Sequence, residues 1–479
     1  MMDDSAASEV APVGDRPAAR RTLSVVIRVG ALMLSSGATT DEVELAMARI
    51  ASASGLENVV AIVQFGTISV AYDPGLDAEP ITLIRVARRS SADYARLAAS
   101  AELARRLFES QMSVDDALRE VERLEVAPPA YPEWVTWLAA GAAAGGTTVL
   151  FGGGPAEVAI AALATIAARP ALAWLTSAGL PAFFRNVLGP AIAVVIVMGL
   201  FALGLPYSAP IAVTGAIMIF LPGGALASGM RDLIDGSIVS GTARLSEAIL
   251  LGAAVGIGIS TGLGVAALWG PTIEFGLPSF EPFTIATQAA AAAAACAALA
   301  LHNGVPTRFV LSIALVGAGG LVIDRVARAS AIDPILATGM AAAFIGGAGR
   351  WLASRNRASA SIWIAAAALP ILPGRLLVEG LLETPTGSGS AELVTALLVG
   401  FAIGIGAAFG DVVVATLRRF NRLVVQPSVI APAIGLVEGG LTWVAQGGHA
   451  AHRKASTPIS ATGAAPSDAA EAGVEDPAG

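Results

Sequence analysis

The chain has 479 residues, of which 55% are hydrophobic and only 14% charged, with a mean hydropathy of +0.71 and a net charge of -8. Values so far from soluble averages exclude an ordinary water-soluble protein and indicate a polytopic membrane protein. A single cysteine, Cys296, excludes an internal disulfide, and the three histidines (His302, His449, His452) form no metal-ligand spacing with it, so neither a metal nor a cofactor is expected. No basic, aromatic-rich patch points to nucleic acid.

Residues 1–21 read as a disordered N-terminus without a signal-peptide core, which places the following domain in the cytoplasm. Residues 22–127 carry ordinary charge and form a small α+β domain. LSVVIRVGALMLSSG has helical spacing and stops at Gly37, and a second helix follows, with Thr39 and Glu42 as a capping box. NVVAIVQFGTISVAY reads as a hairpin around Gln64-Phe65-Gly66, and ITLIRV adds a third strand. Two amphipathic helices then run to Pro128-Pro129. Asp41, Glu42 and Glu44 cluster at a helix start, where acids favour the helix dipole. Capping accounts for Glu42; Glu44 is the candidate to face the membrane part or a ligand. With no His or Cys in this domain there is no nucleophile–base set, and an enzyme is not expected.

Ten apolar segments follow, at about 133–151, 155–176, 186–204, 207–230, 245–269, 283–301, 306–325, 333–350, 360–382 and 392–417. They divide into a first repeat, 131–270, and a second, 283–417. LFGGGP at 150–155 lies over LHNGVP at 301–306, and Leu221-Pro222-Gly223 over Leu372-Pro373-Gly374, both offset by 151 residues. At an offset of 148, Gly252, Gly256, Gly258 and Gly262 lie over Gly400, Gly404, Gly406 and Gly410. An odd number of spans per repeat turns the second copy upside down, an inverted 5+5 arrangement. The inner loops then hold Arg169, Arg185, Arg231, Arg244, Arg308, Arg350, Arg355, Arg357, Arg418, Arg419 and Arg422, against outer Glu274, Glu281, Glu383 and Glu392. Arg325 and Arg328 are the exceptions. GIGISTG and GIGAAFG are not GxGxxG and follow no strand; their small residues suit close helix packing.

The matched LPG sites interrupt two apolar segments. Proline removes a backbone hydrogen bond and glycine tolerates the freed geometry, so polar backbone is exposed where only protein or a watery cavity can meet it. Pro222, Gly223, Gly224, Pro373 and Gly374 are therefore candidate substrate-binding residues. The half-helix starts suit a carboxylate. Arg375 and Glu379, four residues apart, either hold the substrate or pair with each other. Glu157, Asp324 and Asp411 are further ionisable groups in or near apolar segments. Asp411, opposite Leu263 in the first repeat, is the candidate for proton coupling, and Asp324 beside Arg325 reads as an ion pair.

VGALMLSSGATTDEVELAMARIASASGL, TISV, ITLIRV and LPGGALASGMRDLIDGSIVSGTARL resemble the threonine/serine exporter family of bacterial inner-membrane transporters, over about residues 22–417. The second half corresponds to the smaller subunit of split members. The resemblance implies a cytoplasmic N-domain, ten spans and proton-driven export of small hydrophilic solutes, with dicarboxylates the cargo of split members. Glu44, Gly223, Gly224, Arg231, Asp232, Gly236 and Arg244 match its motifs, and Arg231, Asp232 and Arg244 are expected to gate entry. The second LPG continues RLLVEG rather than GALASG, so the cargo does not carry over. The expectation is a secondary transporter working by alternating access, its partners a small amino acid or carboxylate, protons and the bilayer, with a homo-oligomer compatible. The alternative from another class is a membrane-anchored sensor whose N-domain does the work. Residues 423–447 are apolar but unplaced, and 448–479 read as a disordered tail.

Overall fold

The structure, a computed structural model, describes residues 16–75, 79–87, 93–269, 283–383 and 389–425. The chain divides into one unit ending at Ala415 and a second beginning at Thr416, the latter described only to Val425. The expected tail 448–479, and the segment 423–447 beyond Val425, lie outside the described residues, as do residues 1–15.

The first helix, α1 (Arg16–Ser36), begins ahead of the expected start at 22, so residues 16–21 join its first turns. Its apolar face, including Leu23, Val26 and Val29, is fully buried. Gly37 ends it at φ +112°, a left-handed conformation that favours glycine. α2 (Thr40–Ala53) lies against α1 where Gly30 leaves room for the Met47 side chain. An antiparallel sheet follows, β1 (Val59–Gln64), β2 (Thr67–Tyr72) and β3 (Ile81–Val86), in the order β1-β2-β3. The two-residue turn Phe65-Gly66, with Gly66 at φ +79°, sets Val63 opposite Ile68, and β2 then sets Ser69 opposite Ile84. Because side chains alternate along a strand, Val63, Ile68 and Val70 are buried while Val60, Ile62, Ile84 and Val86 are exposed. α3 (Tyr94–Phe108) and α4 (Val114–Glu125) complete this part, each capped at its start, by Asp93 and Ser113.

Then come α5 (Glu133–Leu150), α6 (Pro155–Ser177), α7 (Ala182–Ala202), α8 (Ala209–Ile217), α9 (Gly223–Ile234) and α10 (Ile238–Ala266). They are followed by α11 (Ile285–His302), α12 (Thr307–Ala329), α13 (Pro334–Asn356), α14 (Ser361–Ala367), α15 (Gly374–Glu383) and α16 (Ser390–Val425). Among the described residues seven helices (α6, α7, α10, α11, α12, α13 and α16) are long and apolar enough to cross a membrane, and the pair Ala209–Phe220 and Gly223–Ile234, bent by 50°, makes up to eight. This is a polytopic membrane protein. Two expected spans fall short: α5 has 18 residues and includes Glu133, Thr147 and Thr148 among them, while α14 and α15 are short and carry Arg375, Glu379 and Glu383 between them.

Both LPG sites fold alike. A 3-10 turn (Met218–Phe220, Leu369–Ile371) follows the first helix, an extended leucine (Leu221, Leu372) breaks the path, and the glycine N–H turns back to that leucine's carbonyl at 2.8 Å before the next helix. The two breaks touch each other. Leu372 fills the space beside Gly223, and Met218 with Leu221 fills that beside Gly374. Elsewhere glycines bring backbones together: Gly258 and Gly262 of α10 lie on the carbonyls of Val187 and Ala191, and Gly406 and Gly410 of α16 on those of Gly339 and Ala343. α5 packs along α11, with Gly146 on Ala291 and Ala295.

Candidate functional site

The extended leucine and proline lift the start of α9 out of line with α8, and a cavity of about 1030 Å³ opens there. Pro222, Gly224 and Ser228 of the break line it, together with Ser35, Gly37, Thr39 and Tyr94 of the N-terminal part and Ser361 and Ile364 of α14. Arg169, Arg185 and Arg231 face it together with Glu133, Glu247 and His302. Each cation is held: Arg169 stacks over the Phe220 ring at 5.5 Å, Arg185 donates to Thr176 Oγ1 at 3.0 Å, and Arg231 pairs with Asp411. His302 Nδ1 lies 3.0 Å from the Thr136 carbonyl. The volume is at the upper end of the ~300–1,000 Å³ usual for ligand pockets, so it is a vestibule with room for water as well as a small solute.

Behind the cavity two buried ion networks meet the end of α9. In the first, Asp411 of α16 receives Arg231 and, at 2.8 Å, Arg350 Nε of α13; Arg231 also lies 3.9 Å from Asp235. Burial raises the Asp235 pKa, and Arg231 opposes that rise. In the second, Arg244 Nε of α10 sits 2.8 Å from Asp232 Oδ2, both about 1% exposed. Part of the remaining hydrogen-bonding capacity of that pair is met by the α1–α2 connection. Arg244 donates to the Ala38 carbonyl at 3.2 Å, and Asp232 accepts from the Thr40 N–H and hydroxyl at 3.2 and 3.3 Å. Buried charges are tolerable when paired and hydrogen-bonded in this way.

Of the residues expected to bind substrate, Pro222 and Gly224 line the cavity and Gly223 lies against Leu372. Pro373 and Gly374 are buried beside the first break and are not on the cavity wall, and neither is the half-buried Glu379. The Arg375 side chain lies outside what is described. Among the expected gate residues Arg231 reaches the cavity, while Asp232, Arg244 and Asp411 stand behind it. Glu44 accepts from the Val63 N–H at 2.9 Å and so ties α2 to the sheet. Glu157 accepts from the N–H groups of Gly154 and Ser208, and Asp324 holds Arg328 at 2.9 Å and the Thr338 hydroxyl more tightly than Arg325 at 3.8 Å.

Sequence reasoning passed over Glu247, Glu133 and His302, and counted Arg169 and Arg185 only as loop charges although both lie within helices. Glu247 in the apolar α10 was detectable as an ionisable group in a span. Glu42 was also missed: it carries the Thr39 cap through its N–H, yet its carboxylate accepts from Ser359 Oγ at 2.7 Å, the Ala360 N–H at 3.2 Å and Ser361 Oγ at 3.3 Å.

A family described as "Putative threonine/serine exporter" matches residues 24–266, and one described as "Threonine/Serine exporter, ThrE" matches residues 288–413. A "Probable threonine/serine exporter" of Mycobacterium tuberculosis is 28% identical over 416 residues, covering 83% of this chain and 77% of that one. A "Threonine/serine exporter" of Corynebacterium glutamicum is 24% identical over 431 residues, covering 87% of each. No solved structure matches.

Proposed function

The chain belongs to the threonine/serine exporter family, and from that premise we propose that it is a transporter, not an enzyme, and exports threonine and serine across the cell membrane. The observation that carries the reading is the cavity at the first helix break. At the start of α9 the Gly223 N–H turns to Leu221 and the Leu226 N–H to Pro222, which leaves those of Gly224 and Ala225 for a substrate carboxylate. Glu247 also lines the cavity and adds negative charge for the ammonium, and Ser228 offers a polar contact for the hydroxyl.

Charge balance favours an amino acid over a C4-dicarboxylate. The lining carries Arg169, Arg185 and Arg231 with Glu133 and Glu247, and Asp411 behind it pairs with Arg231, a near-neutral set that suits a zwitterion. The N-domain is read as cytoplasmic, so the state described is open inward.

Ten spans in an inverted 5+5 repeat are supported by the packing itself. Leu221 on Gly374 and Leu372 on Gly223 are contacts that exchange under the 151-residue offset, as a two-fold axis requires. The glycine–carbonyl contacts of α10 on α7 recur within the second half as those of α16 on α13. In this reading alternating access rocks one half on the other, Arg231, Asp232 and Arg244 gate the inner side, and Asp411, shared by Arg231 and Arg350, takes the coupling proton. Efflux of preloaded labelled threonine from inner-membrane vesicles, with and without an uncoupler, tests this. Efflux that ignores the uncoupler would remove proton coupling, and efflux of succinate in place of threonine would replace the substrate.

A further inference from the structure

The SGATTDEVE stretch matches a family motif, yet the cavity uses only part of it. Its Ala38, Thr40 and Glu42 instead tie the N-domain to both halves of the membrane part at once. On the second-half side Glu42 holds Ser359, Ala360 and Ser361, and the Tyr94 N–H bonds the Asn303 carbonyl at 3.1 Å. On the first-half side the contacts are Thr40 to Asp232 and Ala38 to Arg244. These two attachments differ in what separation would leave behind. Detaching Glu42 strands a carboxylate from three donors. Detaching Thr40 leaves Asp232 still paired with Arg244 at 2.8 Å, so no buried charge is orphaned.

We propose that Thr40 is a gating residue: the N-domain rides with the second half through Glu42, and the Thr40–Asp232 contact is the latch that opens and recloses in each transport cycle. The inference rests on the alternating-access reading, in which the halves must move relative to each other. A hydroxyl and an amide meeting an already paired carboxylate make a contact that is specific yet releasable, as a gate requires.

Pulsed electron paramagnetic resonance on the full chain in proteoliposomes tests it. Spin labels are placed at exposed positions, Ser52→Cys with Ile238→Cys on the first half and Ser52→Cys with Ser354→Cys on the second; Cys296 is buried and does not label. The 52–238 pair should give two distances whose ratio shifts with threonine, and the 52–354 pair one. Thr40→Val should move the 52–238 ratio toward the longer distance by about fivefold, the worth of one hydrogen bond, while Thr40→Ser keeps the wild-type ratio. A single 52–238 distance indifferent to Thr40→Val overturns the latch, and so does splitting of the 52–354 pair instead. The Thr40→Val comparison needs no substrate, so it decides the latch even where the vesicle assay shows no threonine efflux.

Discussion

The two LPG breaks share sequence, backbone path and mutual contact, yet among the described residues only the first contributes its proline and following residues to the cavity wall. The difference lies in the side chains immediately C-terminal to each break. After Leu221-Pro222-Gly223 come Gly224, Ala225, Ala227 and Ser228, whose small side chains leave space; after Gly374 come Arg375, Leu376 and Leu377. The matched glycines Gly223 and Gly374 each meet a side chain of the other break, but Gly224, where the second break has Arg375, has nothing within 4 Å of where a Cβ would sit. A helix break sets backbone geometry, and its neighbours decide whether that geometry becomes a site.

The largest test of this asymmetry is Asp411→Ala. It removes the closest partner of both Arg231 and Arg350, leaving Arg231 only the longer contact to Asp235, and should cost about 3 kcal/mol, read as thermal stability in detergent. Leu263→Ala, the matched position in the other half, should cost clearly less; equal losses would erase the distinction. Next, the same substitution at the two breaks should separate stability from transport. Gly374→Leu overpacks a filled space and should destabilise by about 1–3 kcal/mol. Gly224→Leu should leave stability within about 0.5 kcal/mol while cutting threonine efflux at least about tenfold, because it fills the vestibule. Glu44→Gln weakens one hydrogen bond to Val63 and should cost about 1 kcal/mol with no change in efflux per folded molecule. A drop in specific efflux would return Glu44 to the transport path. The smallest effect belongs to a region distant from both breaks. The Arg28 hydrogen bond holds the Glu125 carboxyl below its usual range against the opposing effect of burial, with Arg85 adding to the lowering. That stabilisation is present above the ordinary glutamate value and fades as pH falls through the depressed one. Wild type and Glu125→Gln should therefore differ by under about 1 kcal/mol at neutral pH and converge in acid.

Features set by local chemistry could be read from the chain alone. Gly66 between two β-branched runs gives the hairpin, Gly37 the end of α1, and Pro-Gly after an apolar run the two breaks. Paired glycines at four-residue spacing gave the close packing of α10 and α16. What escaped depends on residues far apart in sequence. Glu42 satisfies a capping pattern three residues after Thr39, and that sufficient local account hid a carboxylate aimed at Ser359. Glu44 looked freer and proved to be bound to its own sheet. Which break lines the cavity was written in the chain but not read from it: small residues follow Gly223, whereas Arg375, Leu376 and Leu377 follow Gly374.

The Glu42–Ser359 hydrogen bond joins positions 317 residues apart. At ~5–20 residues per second of synthesis, Glu42 waits roughly 15–60 s for its partner to leave the ribosome. Nearly all the membrane helices must be made before this contact can close. The clasp of the N-domain therefore marks a chain that has passed α13, and a protein truncated before Ser359 carries its N-domain without that anchorage.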